Sequence, residues 1–299
     1  MKLLNFGSLN IDYVYHVEHF VRAGETVQSY KMTPFCGGKG FNQTIATARA
    51  GVPIAHAGKI GREKTAFEKI MREAKVNMHH IVVSDKPTGH AIIQVDKTGQ
   101  NCILLYPGAN HDMDKAFIDS VLAEYSAGDL LLLQNEVNNL SYIMEQAHKK
   151  GMKIVLNPSP ISEELLDCPL QYASWFLVNE IEGEALSGEK DPNRMTEVLL
   201  KKYPESAIVL TLGSKGVQYR DAHTIASHGV YDVEIVDTTG AGDTFTGYFM
   251  QGIYSGMPIH NILQQASIAS ALAISRKGAS SSIPTMEEVK SAKFSLLKE

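Results

Sequence analysis

The sequence predicts an α/β protein: a central, mostly parallel sheet covered by helices on both faces, with a small antiparallel β lid. Three observations carry this. From about residue 112 onward, short apolar runs alternate with amphipathic runs at helical spacing, the pattern of repeated strand–helix units. The apolar runs are continuous, as in strands buried on both faces. In the first third, by contrast, β-like runs at residues 14–17 and 28–33 do not alternate with helices, and residues 90–96 and 102–106 form a hairpin about Lys97-Thr98-Gly99-Gln100. These assign a lid to about residues 13–34 and 88–107 of a single domain spanning 1–299, because no linker or repeat interrupts the chain.

Taken in order, residues 3–6 read as a buried strand ended by Gly7-Ser8. Asn10 and Asp12 follow at a spacing of two, which puts both side chains on one face of an extended segment; they either grip neighbouring hydroxyls or form an Asx-type turn. Cys36-Gly37-Gly38-Lys39-Gly40-Phe41-Asn42-Gln43 opens a helix to about Ala50. Glycines there let the backbone approach a ligand, but a tight turn alone does not account for Lys39 and Asn42. Strands follow at 55–60, 80–83, 129–133, 153–156, 174–178, 207–211 and 231–236, and helices at 63–75, 112–125, 138–149, 180–187, 194–202, 243–255, 258–275 and 285–297.

Ligands of such folds bind at the carboxyl ends of the strands, and here five of those ends are polar: Gln134-Asn135-Glu136, Asn157-Pro158-Ser159-Pro160, Asn179-Glu180-Ile181-Glu182, Leu212-Gly213-Ser214-Lys215-Gly216 and Thr238-Thr239-Gly240-Ala241-Gly242-Asp243. One polar end is ordinary helix capping; five suggest one shared site. In the last of them, the backbone N–H groups of Gly240, Ala241 and Gly242 offer an anion seat at a helix N-terminus. Asp243 would repel phosphate there unless it takes a proton from a hydroxyl while the N–H groups hold charge on a transferring phosphoryl group. Taken alone, the segment fits better as a turn with Asp243 a first-turn helix acid; the other four strand ends tip the balance.

Composition bounds the function. At 299 residues, 44% hydrophobic and 20% charged with net charge −5, the chain reads as a soluble globular protein without a broad basic surface for nucleic acid. Cys36, Cys102 and Cys168 are odd in number and widely spaced, with no C-x-x-C, which fits a reducing compartment and no disulfide framework. No apolar run approaches the ~20 residues of a membrane helix and the N-terminus lacks a signal-peptide pattern, so a cytoplasmic location is expected. His16-x-x-His19 and His79-His80 have no supporting carboxylates or cysteines beside them and read as surface or strand histidines. No G-x-x-x-x-G-K-[ST] occurs, and Gly240-x-Gly242 does not continue into a dinucleotide fingerprint, which argues against a P-loop enzyme and an oxidoreductase.

Five segments, in order, resemble the signatures of the ribokinase family, the PfkB-type sugar and nucleoside kinases: Gly7-Ser8-Leu9-Asn10-Ile11-Asp12, Gly37-Gly38-Lys39-Gly40-Phe41-Asn42-Gln43, Asn179-x-x-Glu182, Leu212-Gly213-Ser214-Lys215-Gly216 and Asp237-Thr238-Thr239-Gly240-Ala241-Gly242-Asp243-Thr244-Phe245. Arg276-Lys277-Gly278-Ala279, Gly108-Ala109-Asn110 and Asn157-Pro158-x-Pro160 add to it. The resemblance implies ATP-dependent phosphorylation of a sugar's primary hydroxyl, with D-ribose the first candidate and fructose, a sugar acid or a nucleoside the alternatives. A non-catalytic sugar sensor is disfavoured by the presence of Asp243 and the two glycines. It implies Asp243 as base, Gly240, Ala241 and Gly242 as anion hole, and Asn10, Asp12, Gly38, Lys39, Asn42 and Glu136 on the sugar. Asn179 and Glu182 would organise Mg2+ and the phosphates through water; Thr211, Gly213, Ser214, Gly216 and the helix around Ser267 would line the ATP pocket. Asp237, Thr239, Ala273, Arg276, Gly278 and Ser282 match a site for a monovalent cation, usually K+, bound mostly through carbonyls. A homodimer through the lid is also implied. The chain departs from the pattern at Ala23, Phe41 and His90; Phe41 reads as core and His90 as an exposed lid residue, and if either lines the sugar pocket the substrate is open to the alternatives.

Overall fold

The computed structural model describes residues 1–297. In chain order its elements are β1 (Leu3–Phe6), β2 (Asn10–His16), β3 (Lys31–Gly37), α1 (Lys39–Arg49), β4 (Ala55–Ile60), α2 (Thr65–Glu73), β5 (Asn77–Val83), β6 (Gly89–Val95), β7 (Asn101–Tyr106), α3 (Lys115–Leu122), β8 (Leu130–Gln134) and α4 (Leu140–Lys149). Then come β9 (Lys153–Asn157), α5 (Glu163–Leu166), β10 (Ala173–Asn179), α6 (Glu180–Ser187), α7 (Pro192–Lys202), β11 (Ala207–Thr211), β12 (Val217–Arg220), β13 (Ile225–His228), α8 (Ala241–Tyr254), α9 (Ile259–Ile274) and α10 (Met286–Ser291).

Nine strands form one sheet in the order β13-β12-β11-β10-β9-β8-β1-β4-β5, parallel from β5 through β11 and closed by the antiparallel β12 and β13. Residue alternation divides its strands between two cores. Leu130 and Leu132 face one, packed under α1, α8 and α9; Leu131 and Leu133 face the other, under α3, α4 and α7. From β1 the chain builds outward to β4 and β5 on one side and to β8 through β11 on the other. The strand order therefore reverses beside β1, where the crossovers diverge and leave a crevice at the carboxyl edge.

The second sheet has the order β3-β2-β6-β7. The β2–β3 and β6–β7 pairs are antiparallel, while the central β2–β6 pair is parallel. Two hairpin-like pieces distant in sequence have joined along their first strands, and the sheet sits over the crevice through the Asn10 end of β2.

Three expectations of secondary structure need correction. Residues 231–236 are not a strand: only Tyr231 makes a bridge, to Leu296, and Ile235 and Val236 are exposed. The unexpected β12–β13 hairpin already forms that edge of the sheet, and the 231–236 segment instead runs to the end of α9, where the Val236 and Asp237 N–H groups donate to Ile274 O. The last helix stops at Ser291, because Ala292 is extended and Leu297 N–H donates to Val230 O. The helix expected over 112–125 begins only at Lys115, where the Asp114 side chain accepts from Phe117 N–H. Among the described residues no helix is long and apolar enough to cross a membrane.

Candidate active site

The carboxyl edge of β9, β10 and β11 meets the N-termini of α1, α6 and α8 around a cleft of about 200 Å³. Lys39, Asn179, Glu182, Thr211, Gly240, Ala241, Gly242 and Asp243 all line it. Eight residues expected from four separate segments thus share one cavity.

Asp243 is buried at 8% exposure in the first turn of α8. Its Oδ2 accepts from Asn42 Nδ2 at 3.0 Å and its Oδ1 from Gln43 Nε2 at 2.9 Å, both amides carried by α1. Gln43 is itself fully buried. Its Nε2 also donates to Asn157 Oδ1 at 2.9 Å, and its Oε1 accepts from Gln134 Nε2 at 2.6 Å. Gln134 Nε2 reaches Asn5 Oδ1 at 3.2 Å. A line of amides thus runs from β1 and β8 through α1 to Asp243. Buried amides are costly unless paired, so this line fixes the carboxylate's position. Asn42 Oδ1 is buried without a partner, an acceptor beside Asp243 suited to a ligand hydroxyl.

α8 starts at Gly240, whose φ of +76° is left-handed backbone, and no side chain caps the helix. Ala241 N–H reaches Thr238 O at a long 3.3 Å, and the first intrahelical bond is Thr244 N–H to Gly240 O. The Gly242 and Asp243 N–H groups therefore keep the free valence of a helix start. A Cβ on Gly242 would meet nothing within 4 Å; packing does not demand this glycine, and its bareness leaves the backbone open to the cleft.

The proposed sugar side is contiguous with this. Glu136 Oε2 accepts from Ser8 Oγ and, at 2.8 Å, from Lys39 N–H. Asn10 Oδ1 accepts from Asn110 Nδ2 at 2.7 Å, and Gly38, at φ +92°, lies against Asn10 Nδ2. Burial raises the Glu136 carboxyl above its ordinary value. Asp12 is pushed up to about 7, by burial first and then by the charges of Glu136 and Asp243. Burial acts to lower Lys39, but Asp243, Glu136 and Glu182 outweigh it and hold the ammonium above its usual value. Of the expected sugar residues only Lys39 and Asp243 line the cleft itself; Lys39 stands among the carboxylates of Asp243, Glu136 and Glu182, a setting that a polyhydroxyl ligand and a phosphate can both relieve.

Phe41 is core: it is fully buried and meets Phe67 edge-on at 5.1 Å. His90 is half-buried rather than exposed, its ring 5.1 Å from that of Tyr106. It pairs in register with Ile11, and Asp12 with Ala91, so His90 lies on the face of the lid opposite Asn10 and Asp12.

On the far side of the cleft, α6 carries a complete capping box. Asn179 Oδ1 accepts from Glu182 N–H, and Glu182 accepts from Asn179 N–H and Nδ2. The buried Glu182 carboxylate keeps spare lone pairs, which fits a role on metal-bound water better than direct ligation. Gly213 and Ser214 are exposed on the turn after β11, with Gly216 ending it, and Ser267 is half-buried on α9; none of the four lines the central cleft. α9 still touches the anion turn, because Ser270 Oγ donates to Ala241 O at 3.1 Å.

Asp237 joins the two segments of the expected cation site: Oδ1 accepts from Thr239 N–H at 3.0 Å and Oδ2 from Gly278 N–H at 2.9 Å. Burial works against it, but these donors hold its carboxyl below its ordinary value. Arg276's guanidinium is committed to Glu288 at 2.7 Å, Ser282 Oγ donates to Ala279 O, and Ala273 is buried in α9. What these residues offer an ion is mainly backbone carbonyl, a donor set suited to a large monovalent cation.

Sequence reasoning gave no site role to Gln43, Asn110 or Ser8, and placed Gln134 at a polar strand end without a partner. The signal for partnership was an amide closing two of the apolar strands, Leu-Leu-Leu-Leu-Gln in β8 and Lys-Ile-Val-Leu-Asn in β9.

A parallel sheet with a buried acid, a lysine and an uncapped helix start at its carboxyl edge defines a phosphotransferase of the α/β class. The chain belongs to the pfkB family of carbohydrate kinases, whose family model matches residues 1–286. It is 33% identical to a ribokinase of Schizosaccharomyces pombe, over 97% of this chain and 96% of that protein. Among solved structures it resembles the ribokinase of Cryptococcus neoformans in complex with ADP, at 32% identity and a TM-score of 0.86, covering 97% of this chain and 98% of that one. It also resembles the ribokinase of Arabidopsis thaliana complexed with ribose and ATP, at 26% identity and a TM-score of 0.83, covering 97% of both chains.

Proposed function

We propose that this protein transfers the γ-phosphoryl group of ATP to the primary hydroxyl of D-ribose, giving D-ribose 5-phosphate. The observation that carries the reading is Asp243, buried, held through both oxygens by amides, and set at the mouth of an uncapped helix N-terminus. A kinase of this kind needs positioning and charge stabilisation above all. Asn10, Asp12, Gly38, Lys39, Asn42 and Glu136 hold the sugar; Asp243 takes the proton of its attacking hydroxyl. The backbone of Gly240, Ala241 and Gly242 bears charge on the transferring group, while Thr211, Gly213, Ser214, Gly216 and Ser267 flank the nucleotide. The place of His90 on the face of the lid opposite Asn10 and Asp12 supports ribose over substrates that would need it.

Mg2+ would neutralise the phosphates, with Asn179 and Glu182 orienting its water. K+ at Asp237, Thr239, Ala273, Arg276, Gly278 and Ser282 would fix the shape of the anion turn. The lid leaves Phe35, Ile103 and Leu105 exposed on the face of Asp12, and Met32 and Leu104 on the other, apolar area that supports homodimerisation through this sheet.

The test is ADP release with ATP, Mg2+ and K+ over ribose, deoxyribose, fructose, sugar acids and nucleosides, with Asp243→Asn in parallel. Turnover on ribose that collapses in the variant is the expected result. Turnover on a different acceptor, equally dependent on Asp243, would overturn ribose and keep the chemistry; undiminished turnover in the variant would overturn the role of Asp243.

A further inference from the structure

We propose that His79, His80 and Glu124 form a binding site for a borderline transition-metal dication such as Zn2+, which clips the edge strand β5 to the segment leaving α3. In sequence the two histidines lack a carboxylate partner; the fold supplies one from 44 positions further on. Neighbouring residues of a regular strand point to opposite faces, so adjacent histidines do not ordinarily share a ligand.

Here they do, because β5 is bulged. Ala55 of β4 pairs with Asn77 and Ala57 with His80, so two steps of β4 face three of β5. The consequence is visible in the packing. Met78 and Ile81, three apart, both pack on the core beneath α1 and α2, which leaves His79 and His80 together on the other face. Bulges of this kind re-aim side chains. The two rings stand 5.0 Å apart, and His80 also neighbours Tyr125 at 6.3 Å.

Glu124 approaches both. Its Oε1 is 3.9 Å from His79 Nε2 and its Oε2 is 3.6 Å from His80 Nε2, and one ligand atom from each of the three residues lies within 4.8 Å of the others. Ligand atoms in a tetrahedral zinc site are about 3.3 Å apart, so small rotations of His79 and Glu124 complete it; both are exposed and free to make them. The backbone beneath is fixed. Tyr125 is buried, and Lys2 Nζ donates to the carbonyl of Glu124 at 2.8 Å. That lysine stands over the Tyr125 ring, and among the described residues no lysine or arginine pairs with the Glu124 carboxylate. Two imidazoles and one carboxylate select zinc, cobalt or nickel over magnesium or calcium. The fourth position stays open to water.

The site is remote from the cleft, so its effect is on the sheet edge and not on phosphoryl transfer. The experiment uses the full chain without a histidine tag, stripped with chelator. Zn2+ is titrated calorimetrically, Co2+ by its visible absorption, and Mg2+ serves as the hard-ion control; wild type is compared with His79→Ala and Glu124→Gln. The expected result is one site of micromolar affinity that each variant weakens by more than the ~10-fold that loss of even an outer partner costs. Zinc should raise the melting temperature of wild type in a concentration-dependent way and leave that of the variants unmoved, with ATP and sugar turnover equal in all three. Absence of saturable binding below millimolar concentrations would overturn the proposal. So would wild-type affinity in both variants, which would put the ion elsewhere on the protein.

Discussion

Two helices present their N-termini to the same cleft and finish them in opposite ways. α6 closes on itself: Asn179 and Glu182 satisfy each other's backbone, and a buried carboxylate sits where an incoming anion would otherwise find free N–H groups. α8 stays open, starting at a left-handed glycine with no capping side chain. The helix dipole alone makes both ends positive; the capping residues make them different. One wall of the cleft thus presents a carboxylate, the other open backbone donors; on the proposed function the first suits cations and their water, the second phosphoryl oxygens. A γ-phosphoryl group lying between them would meet magnesium on one side and backbone donors on the other, which is the polarity that transfer requires.

Breaking the open side should have the largest effect. Asp243→Asn keeps the shape of the α8 start but removes the proton acceptor, and kcat should fall by about 10²–10⁴-fold with the melting temperature nearly unchanged; steady-state kinetics beside a thermal melt checks both. Gln43→Leu tests whether the acid depends on its amide support. Removing a hydrogen bond to a charged group costs about 1.5–3 kcal/mol, so kcat should drop by roughly one to two orders of magnitude while KM for ATP stays near wild type. An unchanged kcat would show that Asn42 alone positions the carboxylate.

The closed side should respond less, and through the metal. Glu182→Gln keeps a cap but weakens the negative pole, and the Mg2+ concentration for half-maximal rate should rise by about 10–100-fold, read from rates across a magnesium titration. The smallest effect is on pH. Asp12 is pushed up to about 7, chiefly by burial, so its carboxylate is lost as pH falls through that value. kcat/KM for the sugar should decline below about pH 7, and Asp12→Asn should lack that limb. The sign for stability is the reverse. A raised acid stabilises the fold below its unfolded value and forfeits this as pH rises through about 7, so Asp12→Asn should melt higher than wild type at pH 8 and equal it at pH 4.

What could be read from sequence, and what could not, divides by the range of the interactions. The parallel sheet was legible because runs such as Leu130 to Leu133 are apolar throughout and fill both cores. The glycine turn that opens α8 was legible because it lies within a few residues, and Asn179-x-x-Glu182 was legible as a motif though not as a capping box. The 231–236 segment was misread because its alternating apolar and charged residues resemble an edge strand, while the sheet had already been closed by β12 and β13. Gln43 was visible as a residue and invisible as a partner, since Asn157, Gln134 and Asp243 come from three other elements. His79 and His80 failed in the same way: neither Glu124 nor the bulge that turns both rings to one side is written in their neighbourhood.

The span of the Asp243 contacts has a consequence for how the protein is made. Asn42 and Gln43 wait 201 and 200 residues for their partner. At ~5–20 residues per second of synthesis, the chain carries most of the residues proposed for the sugar, and the amides of α1, for tens of seconds before α8 leaves the ribosome and docks. Throughout that time no acid stands at the point of transfer. On the proposed mechanism, a chain that stops short of α8 lacks both Asp243 and the Gly240–Gly242 backbone, so transfer waits for the C-terminal helices.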